Sequence, residues 1–255
     1  LQEGTLTVQD YEQELLRLAY RFLFLFVAEE RRLLHTPGTS EAVKKVYREG
    51  YSMARLRRIA ARYAAGSSDR HTDLYTGVTK VFAGLAHGEP RLGLTALGGI
   101  FEPAECAHLN DAKLANADLI AAMRALRYID AGKKLFPVNY RDMGAEEFGS
   151  VYEGILELVP NYTAATQTLT LVGAAGNNRK TTGSYYTPSS LVDKQVESAL
   201  DPLIARCGTA PDPEKALLEL EVIDTSCGSG HCTVAAARRM ATALVQMRGN
   251  DSSPE

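Results

Sequence analysis

The run Asp224-Thr225-Ser226-Cys227-Gly228-Ser229-Gly230-His231 constrains the fold of this chain more than any other segment. It stands between a short apolar stretch, residues 217–223, and residues 231–247, where Val234, Ala237, Ala241 and Leu244 recur at helical spacing. The pattern predicts a strand, a small-residue turn and a helix. In open α/β sheets, ligands bind beyond the carboxyl ends of the strands. Glycines there let the backbone approach a ligand and adopt turns closed to other residues. A helix opening near Gly230 directs its first N–H groups at the same place. Taken alone, the loop is equally a tight strand-to-helix connection with no ligand. It is not the dinucleotide fingerprint GxGxxG, because the sixth position is Thr233, and the chain has no GxxxxGK[ST] phosphate loop.

The rest of the chain divides at about residue 175. Upstream, the periodicity predicts helices over 8–34 (Tyr11, Leu15, Leu18, Phe22, Leu25, Phe26 on one face), 40–65, 72–86, 116–130 and 145–158. Ser40 is the expected N-cap of the second helix and Gly66 its stop. Residues 90–111 are Gly-rich and give no clear period. The β-branched stretch near 155–173, flanked by Pro160-Asn161 and Gly173, predicts a short hairpin. Downstream, Thr187-Pro188 predicts a helix start with Thr187 as cap and Pro188 as first helical residue. Leu191, Val192, Val196, Ala199, Leu200 and Leu203 supply its apolar face. The expected fold class is a mostly α N-terminal helical domain, residues 1–175, followed by the start of an α/β Rossmann-like domain, residues 176–255.

A second motif opens that downstream helix: Gly183-Ser184-Tyr185-Tyr186-Thr187-Pro188. Two rings beside a helix N-terminus can pack on a methionine chain or an adenine; they can equally be a hydrophobic staple with a cap. Residues 183–188 resemble motif X of the gamma-class amino-methyltransferases, usually a Tyr-Tyr-Thr-Pro run. Residues 224–230 resemble their motif I, usually Asp-Pro-x-Cys-Gly-Ser-Gly. The order, motif X before motif I, is also that of the class. Residues 22–34, 140–158 and 179–188 look like segments of the large adenine methyltransferases of type IIG restriction-modification enzymes and BREX phage-defence systems.

The resemblance implies a DNA methyltransferase that moves a methyl group from S-adenosylmethionine to adenine N6. It implies that Tyr185, Tyr186, Thr187 and Pro188 line the methionine end of the cofactor. Asp224 would fix the loop or the amino group, and Cys227, Gly228 and Gly230 would form a wall through backbone contacts. Two positions depart from the pattern. Thr225 replaces the usual proline, and Cys232 stands where the family often has Phe. The catalytic Asn/Asp-Pro-Pro-aromatic run, which would hold a flipped base, does not occur in the sequence; Asp201-Pro202-Leu203 and Asp212-Pro213-Glu214 come nearest. No catalytic residue is therefore assigned. Leu1 in place of an initiator Met, and the polar stretch 249–255, lead to the expectation of an excerpt from a longer protein, inactive by itself.

Composition narrows the alternatives. At 45% hydrophobic and 23% charged residues the chain can bury a core, and its net charge of -3 is not that of a basic nucleic-acid-binding module. Basic residues concentrate instead within 44–62. Double-stranded DNA is the expected partner, with phosphate contacts from Arg57 and Arg58 and from Arg179 and Lys180 beside the cofactor motif. Four cysteines without a CxxC pair, and no secretory signal, give the expectation of a reducing cytoplasm. No apolar run reaches the length of a membrane span. The five histidines lack metal-ligand spacing, so no metal is expected. Asp212, Glu214 and Lys215 lie too close together for a nuclease site. Cys227 has no evident base partner and reads as a small loop residue rather than a nucleophile. Two other readings stay open: a methyltransferase acting on RNA or protein, and a helical DNA- or partner-binding scaffold with a vestigial cofactor loop.

Overall fold

A computed structural model describes residues 6–62, 69–130, 132, 135–156, 158–173, 187–227 and 230–249. The chain forms two compact units, Leu1–Met143 with Val159–Val172, and Gly144–Leu158 with Gly173–Glu255. The described residues are mostly helical, with two small two-stranded antiparallel sheets.

In the first unit, α1 (Val8–Glu30) opens at Thr7, whose hydroxyl accepts the Asp10 amide at 3.1 Å. Its apolar face buries Phe22, Leu23, Leu25, Phe26 and Val27. The helix stops four residues before the expected 34. Arg32 takes the left-handed conformation (φ 58°), and the amides of Arg32 and Leu33 donate to the carbonyls of Glu29 and Ala28. This closing geometry satisfies carbonyls that the helix leaves open.

The single helix expected over 40–65 is two: α2 (Glu41–Gly50) and α3 (Met53–Arg62). Ser40 does cap α2, accepting the Val43 amide at 3.4 Å. The break at Tyr51-Ser52 has a tertiary cause. The Glu29 carboxylate of α1 accepts the Met53 and Ala54 amides at 2.7 and 2.9 Å and so caps α3 from outside the local sequence. The Ser52 hydroxyl donates to the Arg48 carbonyl and accepts the Arg55 amide, reinforcing the corner. Gly66 lies outside the described residues.

Next come α4 (Asp73–His87), three 3-10 turns within residues 90–106, α5 (Ala107–Asp111) and α6 (Asn116–Arg127). The helix expected to reach 130 ends at Arg127, and β1 (Tyr128–Asp130) pairs with β2 (Leu135–Pro137). Tyr128 and Ile129 prefer the pleated surface of a strand, and Gly132 (φ 84°) supports the turn.

Arg21 organises the core of this unit. It is 0% exposed. Its Nε donates to the Ile100 carbonyl at 2.6 Å, Nη1 to Asn110 Oδ1 at 2.7 Å and Nη2 to the Glu102 carbonyl at 3.0 Å. The guanidinium also lies 5.1 Å from the Phe82 ring centre and 5.9 Å from that of Phe101. A buried cation is tolerable because each of its three nitrogens donates a hydrogen bond and its planar faces meet rings.

Helix α7 (Ala145–Leu156) precedes β3 (Leu158–Thr163) and β4 (Thr168–Gly173), the hairpin expected near 155–173. The second unit continues with α8 (Ser189–Gly208), α9 (Pro213–Leu218) and α10 (His231–Met247). The strand expected over 217–223 is not formed. Leu217 and Leu218 belong to α9, and residues 220–223 have no regular structure, with Ile223 82% exposed. An isolated apolar run cannot be a strand without a neighbour to accept its ladder bonds, and none pairs with it among the described residues.

Candidate cofactor site at the shared end of two helices

Helix α8 buries Val192, Val196 and Leu200, spaced four residues apart on one face. They pack on Ala236 of α10, with Cys232, Ala235 and Met240 beside it. Further along both helices, Cys207 of α8, Ala243 of α10 and Leu217 of α9 form a second cluster. Low numbers meet low numbers and high meet high, so α8 and α10 run parallel. The Asp201–Arg239 ion pair fits the same register. At 1.5 Å per residue, the 20 residues of α8 span about 30 Å, a distance the chain must retrace through α9 and residues 219–227. The parallel arrangement brings both helix N-termini, and therefore residues 187–188 and, among the described residues of the loop, Cys227 and Gly230, to one end of the pair.

The packing face of α10 is not the one expected. Val234 is 46% exposed and Ala237 is exposed, whereas Cys232, Ala236, Met240, Ala243 and Met247 face the interior. Of the expected face, Leu244 does pack on the second cluster, whereas Val234 and Ala237 turn outward. Close approach of two helices instead selects small side chains, and the spacing of 232, 236, 240, 243 and 247 was the available signal. On α8, Leu191 is likewise 60% exposed, and Ile204 and Cys207 extend the buried face.

The start of α8 differs by one residue from expectation. Pro188, in extended geometry (φ -53°, ψ 139°), is the cap, and its carbonyl accepts the Leu191 and Val192 amides at 2.9 and 3.2 Å. Thr187 precedes it, and both are exposed. Pro188 offers no side-chain acceptor, so α8 begins without a side-chain cap.

Helix α10 begins without a side-chain cap as well. Gly230 is left-handed (φ 80°, ψ 12°); its amide donates to the Cys227 carbonyl at 2.7 Å and its carbonyl accepts the first helical bond from Val234. Asp224 is half-buried, and its Oδ1 accepts the Ser226 amide at 3.0 Å, folding the loop back on itself. The exposed Cys227 thiol lies 3.8 Å from Thr233 Oγ1. Neither helix carries an acidic residue in its first turn. The shared end thus presents backbone, small side chains and one carboxylate, a surface suited to a small ligand with an amino group or hydroxyls. Tyr185, Tyr186, Gly228, Arg179 and Lys180 lie outside the described residues.

Other sequence candidates take structural roles. Arg57 donates to Glu30 at 2.6 Å and lies over the Phe26 and Tyr140 rings, 24% of its side chain exposed. Arg58 is exposed. Asp212 caps α9 by accepting the Lys215 amide, and Glu214 pairs with Arg248. Asp201-Pro202-Leu203 lies within α8. No group of three metal-ligating side chains occurs among the described residues, and none of their helices is long and apolar enough to cross a membrane. Comparison with known proteins gives no match to a family model, to a curated protein or to a solved structure.

Proposed function

We propose that the chain is part of a site-specific DNA methyltransferase that uses S-adenosylmethionine to methylate adenine N6, in restriction-modification or phage defence. The observation that carries this reading is the parallel packing of α8 on α10. Two motifs separated by dozens of residues, each recognisable in sequence, open two helices at the same end. A ligand seated there would touch both. The second unit would be the beginning of a Rossmann-like domain, and the exposed Val222 and Ile223, just ahead of the loop, would be buried by a strand partner.

Bound S-adenosylmethionine would supply an activated methyl group. Tyr185, Tyr186, Thr187 and Pro188 would line its methionine end. Asp224 would hold the turn through Ser226, leaving its second carboxylate oxygen for the ligand. Cys227, Gly228 and Gly230 would allow close approach through their backbone. Double-stranded DNA would be met by Arg58, Arg179 and Lys180, with Arg57 contributing mainly through the packing of α3 on α1. The sequence has no run able to hold a flipped adenine, so the chain should bind cofactor without turning it over.

Calorimetry with S-adenosylmethionine tests the reading. Saturable binding that is lost when Gly228 and Gly230 are replaced by bulky residues supports it. No binding at millimolar cofactor rejects it in favour of a helical scaffold. Methyl transfer to DNA by the purified chain would overturn the assignment of the catalytic residues to a different stretch of protein.

A further inference from the structure

A cleft of about 790 Å³ lies in the first unit, where the end of α1 meets α2 and α3. That volume is in the range of small-molecule sites, about 300–1,000 Å³. Its floor is fixed and apolar, with Phe26 and Tyr47 only 1% and 2% exposed. The acidic groups of the lining are already engaged. Glu29 accepts the Tyr47 hydroxyl at 2.6 Å as well as the two α3 amides. Glu30 takes Arg57, and Glu41 takes Lys44 at 3.0 Å.

Two cations of the same lining are not engaged in this way. Arg32 and Arg48 make no side-chain hydrogen bond or ion pair with any described residue, although Arg48 adds to the field that Lys44 sets at Glu41. Arg32 also occupies the left-handed position after α1 (φ 58°), where glycine is the usual residue. A side chain there strains the backbone. Such strain persists where the surroundings enforce it, and it clusters at functional sites.

We propose that this cleft binds a phosphate-bearing, nucleotide-sized ligand through the Arg32 and Arg48 guanidiniums. Planar forks of donors match phosphate oxygens two at a time, and the two charges suit a dianion better than a single carboxylate. The phosphate could belong to a free nucleotide or to the end of a DNA strand. The lining residues all belong to the first unit, and the proposal does not depend on the methyltransferase reading.

The test uses the full 255-residue chain, GTP, and a 5′-phosphorylated single-stranded oligonucleotide, with affinities measured by calorimetry in the presence of saturating S-adenosylmethionine. The expected result is saturable binding of at least one probe, weakened about tenfold or more in both Arg32→Gly and Arg48→Gln, as removal of a charged hydrogen bond predicts. Arg32→Gly should keep or raise the thermal midpoint, because glycine relieves the left-handed position, so its loss of binding cannot be a loss of fold. Binding of GTP that the oligonucleotide does not displace identifies a free nucleotide; binding of the oligonucleotide alone identifies a strand end. No saturable binding of either probe, or binding that both variants retain in full, overturns the proposal. Should one variant fail to fold, the other decides.

Discussion

Asp201 on α8 receives both arms of the Arg239 guanidinium from α10, Nε at 2.8 Å and Nη2 at 2.5 Å. The hydrogen bonds from Arg239 hold the Asp201 carboxyl below its ordinary pKa. Both side chains are about two-fifths exposed, so the pair fixes register more than it adds stability. The strength of the helix pair lies in the packed apolar face of α10, Cys232, Ala236, Met240, Ala243 and Met247.

That division of labour can be measured. Arg239→Ala should leave the urea midpoint nearly unchanged. Ala236→Leu, which forces a larger side chain between Val192, Val196 and Leu200, should cost about 1–3 kcal/mol. A large loss from Arg239→Ala with none from Ala236→Leu would reverse the assignment.

Arg21 is expected to be the most sensitive charged position of the first unit. Arg21→Met keeps apolar bulk but strands the Ile100 and Glu102 carbonyls and Asn110 Oδ1. All three acceptors are only part-buried and can take up water, so the loss should be about 1–3 kcal/mol, the cost of one fully buried acceptor left without a donor. Arg21→Lys should recover only part, since one ammonium cannot reproduce a planar fork reaching three acceptors. Chemical denaturation of the two variants gives the comparison.

Local signals in the sequence located most helices and the hairpin of β3 and β4, because caps, apolar periodicity and β-branched runs act over a few residues. Ser40 and Gly230 are where local reading and structure agree, on the cap of α2 and on the start of α10. Contacts across long stretches of chain were not legible. Glu29 caps α3 from α1, and this splits what the 40–65 pattern reads as one helix. Arg21 carries no local signal of burial; three acceptors and two rings gather around it only in the fold. The candidate site was legible as two motifs; that they share an end depends on the parallel packing, which the face of α10 determines and which the expectation at Val234 and Ala237 missed.

Two glutamates should titrate against stability in opposite senses. Glu14 is buried, which alone would raise its pKa, but hydrogen bonds from the His108 ring and the amides of Leu109 and His108 outweigh this and place it below the usual 4.5. Its contribution is present above 4.5 and lost as pH falls through the lowered value. Glu29 is raised, chiefly by burial, against the hydrogen bonds from Tyr47 and α3. Its contribution is present below 4.5 and lost as pH rises through the raised value. Urea midpoints from acid to neutral pH should therefore show wild type gaining on Glu14→Gln as pH rises and losing ground to Glu29→Gln. Parallel slopes for the two variants would contradict these shifts.

Gly230 separates a turn from a ligand site. An added Cβ would find its nearest neighbour, Cys227 Sγ, at 3.9 Å, so the local fold has room for a side chain. The obstacle is φ of 80°, which costs an L-residue about 1–2 kcal/mol and asparagine less. In urea denaturation Gly230→Ala should lose about that much unfolding free energy, and Gly230→Asn should recover part of it. A loop that serves only as a connection into α10 is restored by Asn in every respect. In a loop whose backbone lies against S-adenosylmethionine, Asn restores stability but not cofactor affinity, because its side chain occupies the ligand's space. The proposed function requires the second pattern; full cofactor affinity in both variants would remove Gly230 from the site.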